Sequence, residues 1–328
     1  MPSQARMESL VILVPVYNDW GAVEKLIPQI DASLSSLNSR VELVLVDDGS
    51  SDPQPESMGT ITCGVIQRAG VLRLRRNLGS QRAIAVGLSY VCEHCDADAV
   101  LVMDGDGEDA PGDIPKLAAK YDETGGSAIV FAARLRRSES PLFRICYSLY
   151  RFCHRLLTGR SVRVGNFSLI PMPLLCRLVV VSELWNHYAA SVYKARIPTA
   201  YVGTSRGPRL AGDSQMNFVS LVTHGLSAVS VFSELAGVRL LITCGALCLV
   251  SLVGLVLIFV HAVFTSGGFP WGVALAGSLL LLLFLQMGLY ALLACFITLG
   301  SRTGALFIPQ RDYVHFVDAH ETLFGAHE

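Results

Sequence analysis

Two stretches close to the C-terminal end, Val238 to Phe264 and Val273 to Leu299, are apolar almost throughout, and no Asp, Glu, Lys or Arg occurs between Leu240 and Gly300. A helix of that length crosses a hydrocarbon core of about 30 Å with residues left over for tilt. It is also one of the two structures that satisfy every backbone N–H and C=O inside lipid. The link from Thr265 to Gly272 carries no charge, whereas Arg206, Arg209 and Arg239 precede the first run and Arg302 and Arg311 follow the second. Positive-inside bias therefore predicts a transmembrane hairpin over 238–264 and 273–299 with both flanks in the cytoplasm. Ahead of it, Met216 to Glu234 places Phe218, Leu221, Val222, Leu226, Val229 and Phe232 at helical spacing. That pattern predicts an amphipathic helix lying in the membrane interface.

The two runs account for the high hydrophobic content of 52% in 328 residues, which leaves the remainder free to be an ordinary globular domain. A net charge of −1 argues against nucleic acid as a partner, because such domains carry a concentrated basic excess. The nine cysteines are scattered, which fits reduced thiols in a cytosolic compartment. Cys92-Glu93-His94-Cys95 has no second pair at zinc-site spacing, so packing at a helix end is the reading placed ahead of metal binding. The N-terminal M-P-S-Q-A-R-M-E-S-L has no long apolar region, so the first domain is expected to stay on the cytoplasmic side.

That first domain reads as alternating strands and helices. Leu10 to Val16 is a strand, Tyr17-Asn18-Asp19 a polar turn and Ala22 to Leu37 a helix. Val41 to Val46 is a second strand, ending in Asp47-Asp48-Gly49-Ser50-Ser51-Asp52. A weak third strand from Gly70 to Leu74 leads through Arg76-Asn77-Leu78-Gly79 into a helix from Gln81 to Cys92. The strand Ala99 to Met103 then stops in Asp104, Asp106, Glu108 and Asp109. This alternation predicts a mostly parallel sheet covered by helices, and ligands bind at the carboxyl ends of such strands. Clustered acids repel one another, and an oxygen-only donor set suits Mg²⁺ or Mn²⁺. A solvated acidic turn, or a helix start signalled by Pro111 and Asp113, is the competing account. The second acidic strand end favours a cation or a rim of hydrogen-bond donors. Ile129 to Ala133 is a further strand, followed by Arg134, Arg136 and Arg137, and Arg144, Arg151 and Arg155 share one helix face. Such arginines suit either phosphate or anionic headgroups, and a lipid phosphate is both.

Four motifs, each at the end of a predicted strand, now come together: V-P-V-Y-N-D (Val14 to Asp19), V-D-D-G-S-S-D (Val46 to Asp52), R-N-L-G (Arg76 to Gly79) and M-D-G-D-G-E-D (Met103 to Asp109). In this order they resemble the family 2 glycosyltransferases, and within them the polyprenyl-phosphate glycosyltransferases similar to dolichyl-phosphate mannose synthase. The resemblance covers Leu10 to about Phe232, and membrane-bound members of that group also carry a two-span tail. It implies an α/β nucleotide-sugar-binding domain of the GT-A kind. Pro15, Tyr17, Asp19, Asp48, Asn77 and Asp104 would then meet the nucleotide sugar, with Asp104 near the ribose. Asp106 would hold the metal on the donor diphosphate, and Glu108, where members usually have Gln, would be a second ligand. Two departures stand out. Gly165-Asn166-Phe167-Ser168 replaces the usual Gly-Asp-Phe-Arg, and Arg209-Leu210-Ala211-Gly212-Asp213-Ser214-Gln215 replaces a motif that ends in Lys. A phosphate acceptor tolerates the first loss, since a phosphomonoester with a second pKa near ~6 needs no general base at neutral pH.

The expected organisation is a GT-A domain over 1–210, an interfacial segment over 211–237, two spans within 238–300 and a cytoplasmic tail over 301–328. The expected activity is metal-dependent transfer of one sugar from a UDP- or GDP-linked donor to polyprenyl phosphate at the inner membrane. Asp106, Arg134, Arg144 and Arg209 are the candidate catalytic residues, membrane lipid is a partner, and the spans offer a surface for homo-oligomers. A membrane-anchored nucleotide-sugar binder or scaffold without catalysis is the alternative that the two departures permit. A processive polysaccharide synthase fits less well, because its Gln-x-x-Arg-Trp signature is absent and it needs more spans.

Overall fold

The computed structural model describes residues 7–37, 39–134, 159, 164–212, 218–264, 270–300 and 307–325. The elements are β1 (Ser9–Val16), α1 (Trp20–Ser33), β2 (Arg40–Asp47), β3 (Ile66–Leu74), α2 (Ser80–His94), β4 (Ala99–Val102), α3 (Ile114–Thr124), β5 (Ile129–Arg134) and β6 (Ser168–Pro171). They continue with α4 (Met172–Leu178), α5 (Tyr188–Lys194), β7 (Thr199–Thr204), α6 (Phe218–Ser230), α7 (Ser233–Phe264), α8 (Trp271–Gly300), α9 (Pro309–Asp312) and β8 (Val317–Phe324).

The strands form one sheet in the order β7-β5-β6-β4-β1-β2-β3-β8. β1 lies between β2 and β4 and runs parallel to both, with Leu10 opposite Val41 on one side and Ala99 on the other. The four pairings among β1, β2, β3, β4, β5 and β7 are parallel and those of β6 and β8 antiparallel, so the sheet is mostly parallel, as the alternation predicts. Side chains of a strand alternate between faces, and β1 shows this directly. Leu10, Ile12, Val14 and Val16 pack with Trp20, Val23, Leu26 and Ile27 of α1 and with Ile114 and Leu117 of α3. Val11 and Leu13 pack on the opposite face with Ile84, Val86 and Leu88 of α2, together with Leu175 of α4 and Tyr188 of α5. Helices thus cover both faces, which is why the central strands are continuously apolar.

The C-terminal residues depart from the expected tail. α9 and Tyr313 dock on α2, with the buried Tyr313 hydroxyl donating to Glu93 Oε2 at 2.9 Å and lying 2.8 Å from His94 Nε2. β8 then pairs with β3, so 307–325 belong to the same compact unit as the sheet. The alternation in V-D-A-H-E-T-L-F is that of an edge strand, half of it facing water. The neighbours of α2 divide the C-E-H-C sequence: Cys92 faces Cys176 of α4, 2.6 Å away, while His94 faces the docked Tyr313.

α7 and α8 form a second unit. Both are long and apolar enough to cross a membrane. A Cβ on Gly237 would lie 2.8 Å from Cys295 Sγ, one on Gly277 3.0 Å from Leu255 Cδ2, and one on Gly288 3.6 Å from Cys244 Cβ. The three contacts step in opposite directions along the two helices, as an antiparallel hairpin requires, and small residues permit the close approach. The amphipathic stretch ends earlier than the sequence indicates, because α6 stops at Ser230 and Glu234 lies in the first turn of α7.

Tyr313→Ala should lower stability by about 3 kcal/mol or more and Tyr313→Phe by about 1 kcal/mol, read as shifts in thermal unfolding of the purified chain. A true tail would tolerate both changes.

Candidate active site

The sequence motifs meet along the carboxyl edge of the sheet, at the ends of β1, β2, β3 and β4. Asn18 follows β1 in the left-handed region, at φ 50°, which asparagine tolerates better than most residues. Its Oδ1 accepts from Ser51 N at 2.8 Å and Asp52 N at 3.0 Å, and its own N–H donates to Ser50 Oγ at 3.0 Å. Asn18 therefore ties the loop after β1 to the loop after β2, a role that polar turn chemistry alone does not reveal.

Asp48 is buried and accepts from Leu78 N at 2.7 Å and from Gly79 N at 2.8 Å. Both oxygens thus hold R-N-L-G in place, and Asp48 organises the neighbouring loop from inside. Gly49, at φ 69°, lets that loop come close, since a Cβ there would lie 2.6 Å from Arg76 C. Burial pushes the Asp48 carboxyl up to about 6, against the pull of the two amides. Asp47 is met by Arg73 Nη1 at 3.0 Å and accepts from Ser50 N at 2.9 Å. The acidic end of β2 is therefore neutralised by an arginine and a rim of amides. Pro15 is half-buried, while Tyr17 and Asn77 stand exposed in these loops, open to a ligand.

The residues after β4 divide by direction. Asp109 is buried and accepts from the Asp104 N–H at 3.1 Å, which shapes the turn. Asp104 Oδ1 accepts from Asn166 Nδ2 at 3.1 Å. Asp106 and Glu108 face the segment that follows β7. Arg209 donates to Asp106 Oδ2 at 3.1 Å and to Asp19 Oδ2 at 2.5 Å, and Arg206 forms an ion pair with Glu108. That segment is laid down as a short antiparallel pairing. Gly207 N donates to Glu108 O at 2.9 Å, Leu210 N donates to Asp106 O at 3.0 Å, and Asp109 bridges Arg206. Gly107, at φ 84°, leaves room for the Leu210 side chain, which a Cβ would strike. Burial raises the Asp19 carboxyl, and nearby Asp106 adds to this while Arg209 opposes it. The repulsion that the sequence predicts among these acids is answered by Arg206 and Arg209, from about 100 residues downstream.

Asp19, Asp106 and Arg209 are thus brought into direct contact, with Glu108 and Arg206 beside them. Arg134 ends β5 by its backbone, while its side chain and the whole of Arg144 lie outside the described residues. Among the described residues no group of three metal-binding side chains converges. Asp106 and Glu108 have the oxygen donors that a hard divalent cation takes when one or two carboxylates hold it and substrate phosphates complete its shell. Gln81, which sequence reasoning did not single out, lies behind these residues. It is buried in the first turn of α2, and its Nε2 donates to Asn166 Oδ1 at 3.0 Å.

For an acid raised from 3.8 to about 6, the folded chain holds more protons than the unfolded chain between those values. The Asp48 contribution to stability should therefore be greatest below about pH 4 and decline as pH rises through 6. Asp48→Asn should flatten that decline in a series of unfolding temperatures taken from pH 4 to 7.

The description "Glycosyl transferase family 2" is the family model that matches residues 11–171, from β1 through β6. Two similar curated proteins are the undecaprenyl-phosphate 4-deoxy-4-formamido-L-arabinose transferases of Klebsiella pneumoniae and Salmonella enteritidis. The first is 26% identical over 222 residues and the second 28% over 227, each match covering 66% of this chain and 65% of the relative. The chain therefore matches about 65% of those relatives' length. A solved structure of glucosyl-3-phosphoglycerate synthase from Mycobacterium tuberculosis, in complex with Mn²⁺, uridine diphosphate and phosphoglyceric acid, superposes with a TM-score of 0.50. It shares 15% identity over 70% of this chain and 79% of that one, a likeness of fold. The architecture is GT-A-like, and over residues 11–171 the chain carries a glycosyltransferase family 2 domain.

Proposed function

We propose that the protein transfers one sugar from a nucleoside diphosphate sugar to polyprenyl phosphate at the inner face of the cytoplasmic membrane. The observation that carries this reading is the pairing of Asp106 and Asp19 with Arg209 at the ends of β1 and β4, beside the Arg206–Glu108 pair. Carboxylates suited to a cation and arginines suited to phosphates stand together at the strand ends, where a donor diphosphate would lie. The similarity to the two undecaprenyl-phosphate transferases supports the acceptor class.

Asp106 and Glu108 would hold Mg²⁺ or Mn²⁺, which when bound stabilises the departing diphosphate. Arg206 and Arg209, which pair with these acids, would also donate to phosphate oxygens, a task suited to the planar guanidinium. Tyr17 and Asn77 would line the nucleotide, and Asp104 would accept from its ribose. Asn166 supplies an N–H where a general base would need a carboxylate, which fits an acceptor that arrives ionised. A phosphate oxygen attacks the anomeric carbon as the bond to the donor diphosphate breaks, and no proton has to be moved.

The membrane placement rests on the two apolar helices and on the chain path. The sheet unit runs to Val231 and resumes at Phe307, and a chain that leaves and re-enters one folded unit supports an even number of crossings. Cysteines placed at Gly268 and Glu328 should label from opposite sides of sealed vesicles, and labelling from the same side would reject the hairpin.

Asp106→Asn should abolish transfer by the purified chain and also metal-dependent binding of the nucleoside diphosphate, with folding retained. Activity that survives the change would overturn the metal site. A wild-type chain that binds donor yet never transfers would identify the inactive scaffold instead. Arg209→Ala and Arg144→Ala should each weaken one substrate by about 1.5–3 kcal/mol, or roughly ten- to over a hundred-fold. Separate KM values for donor and polyprenyl phosphate assign each arginine.

A further inference from the structure

A backbone amide sets the direction of every hydrogen bond in the row that runs behind Asp104. The Tyr188 N–H can only donate, so the Gln81 oxygen must face it, at 2.8 Å. The Gln81 nitrogen is thereby turned the other way and donates to Asn166 Oδ1 at 3.0 Å. Asn166 then presents its Nδ2 to Asp104 Oδ1, at 3.1 Å. Flipping either amide would set donor against donor or acceptor against acceptor, so the row has one polarity. It is also anchored from behind. Ser168 Oγ donates to the Asn166 carbonyl at 2.9 Å and, with that proton used, accepts from the Tyr188 hydroxyl at 2.6 Å. Gln81, Ser168 and Tyr188 are buried, so water does not substitute for any of these three, while Asn166 and Asp104 are half-buried at the site end of the row.

We propose that Gln81 is a positioning residue for donor binding, which acts through Asn166 to hold the Asp104 carboxylate toward the donor ribose. The inference rests on the reading of Asp104 as the ribose contact. It gives Asn166 a role of its own: an amide accepts from Gln81 on one side and donates to a carboxylate on the other. An aspartate would accept from Gln81 equally well but would offer Asp104 a lone pair in place of an N–H.

Gln81→Glu keeps the shape and destroys the polarity. At a pH above that at which its buried carboxyl ionises, the carboxylate still accepts from Tyr188 N but has nothing to donate, so Asn166 must turn its Nδ2 toward residue 81 and its oxygen toward Asp104. Gln81→Met keeps the bulk and removes both bonds.

The test is calorimetric binding to the full chain in detergent with Mn²⁺, using UDP and GDP and their 2′-deoxy and 3′-deoxy forms, alongside thermal unfolding of each variant. Wild type should bind one parent diphosphate and lose about ten-fold or more on removal of a ribose hydroxyl, the loss expected of one charge-assisted hydrogen bond. Folded Gln81→Glu and Gln81→Met should bind the parent about ten-fold more weakly and no longer distinguish the deoxy form. Discrimination that persists in either folded variant overturns the proposal and leaves Asp104 at the ribose. A wild type that ignores the ribose hydroxyls, or binds neither diphosphate, overturns the reading of Asp104 and the proposal with it. Unfolding of both variants also overturns it, because the row would then serve the core.

Discussion

Carboxylates gathered at the end of a sheet are tolerable only if each has a partner, and that requirement shapes this site. Three kinds of partner are used. Asp48 takes two backbone amides, Asp47 an arginine on the neighbouring strand, Asp104 a side-chain amide, and Asp19 and Asp106 share Arg209. The partners differ in how easily they can be removed. Backbone amides in a folded loop are fixed, whereas arginines on the half-exposed segment after β7 can exchange a carboxylate for another anion. Permanent and exchangeable compensation thus lie side by side, with the exchangeable kind where the cation and diphosphate would enter.

The parts legible in the sequence are those set by short-range pattern. β1, β2 and β4 announce themselves as apolar runs, and their acidic ends mark the edge where the site lies. The two long helices follow from composition alone. β6 was missed because Ser168–Pro171 is four residues long and begins in a polar motif. β8 was missed because its half-polar pattern reads as tail until β3 supplies an edge to pair with.

Long-range partners were hidden for a different reason. Nothing in R-G-P-R indicates that Arg206 and Arg209 will reach back to Glu108 and Asp106, since that depends on where β7 ends. The acids crowded at these strand ends are met by arginines of the chain itself, which no local pattern marks out. Gln81 gave no signal beyond its place in the first turn of α2. A glutamine there is unremarkable until the fold brings Tyr188 to one side of it and Asn166 to the other.

The pairing of β3 with β8 also sets a timetable. Leu74 is opposite Val317, and both apolar helices lie between them in the chain. On the ribosome the outer edge of β3 must wait until the hairpin has been made and β8 emerges, an interval of tens of seconds at about 5–20 residues per second. Throughout it the nascent chain offers an open strand edge, the surface most prone to pairing with a neighbour. Synthesis of the two apolar helices therefore precedes completion of the sheet, and a chain truncated before Val317 would be left with a sticky edge on β3.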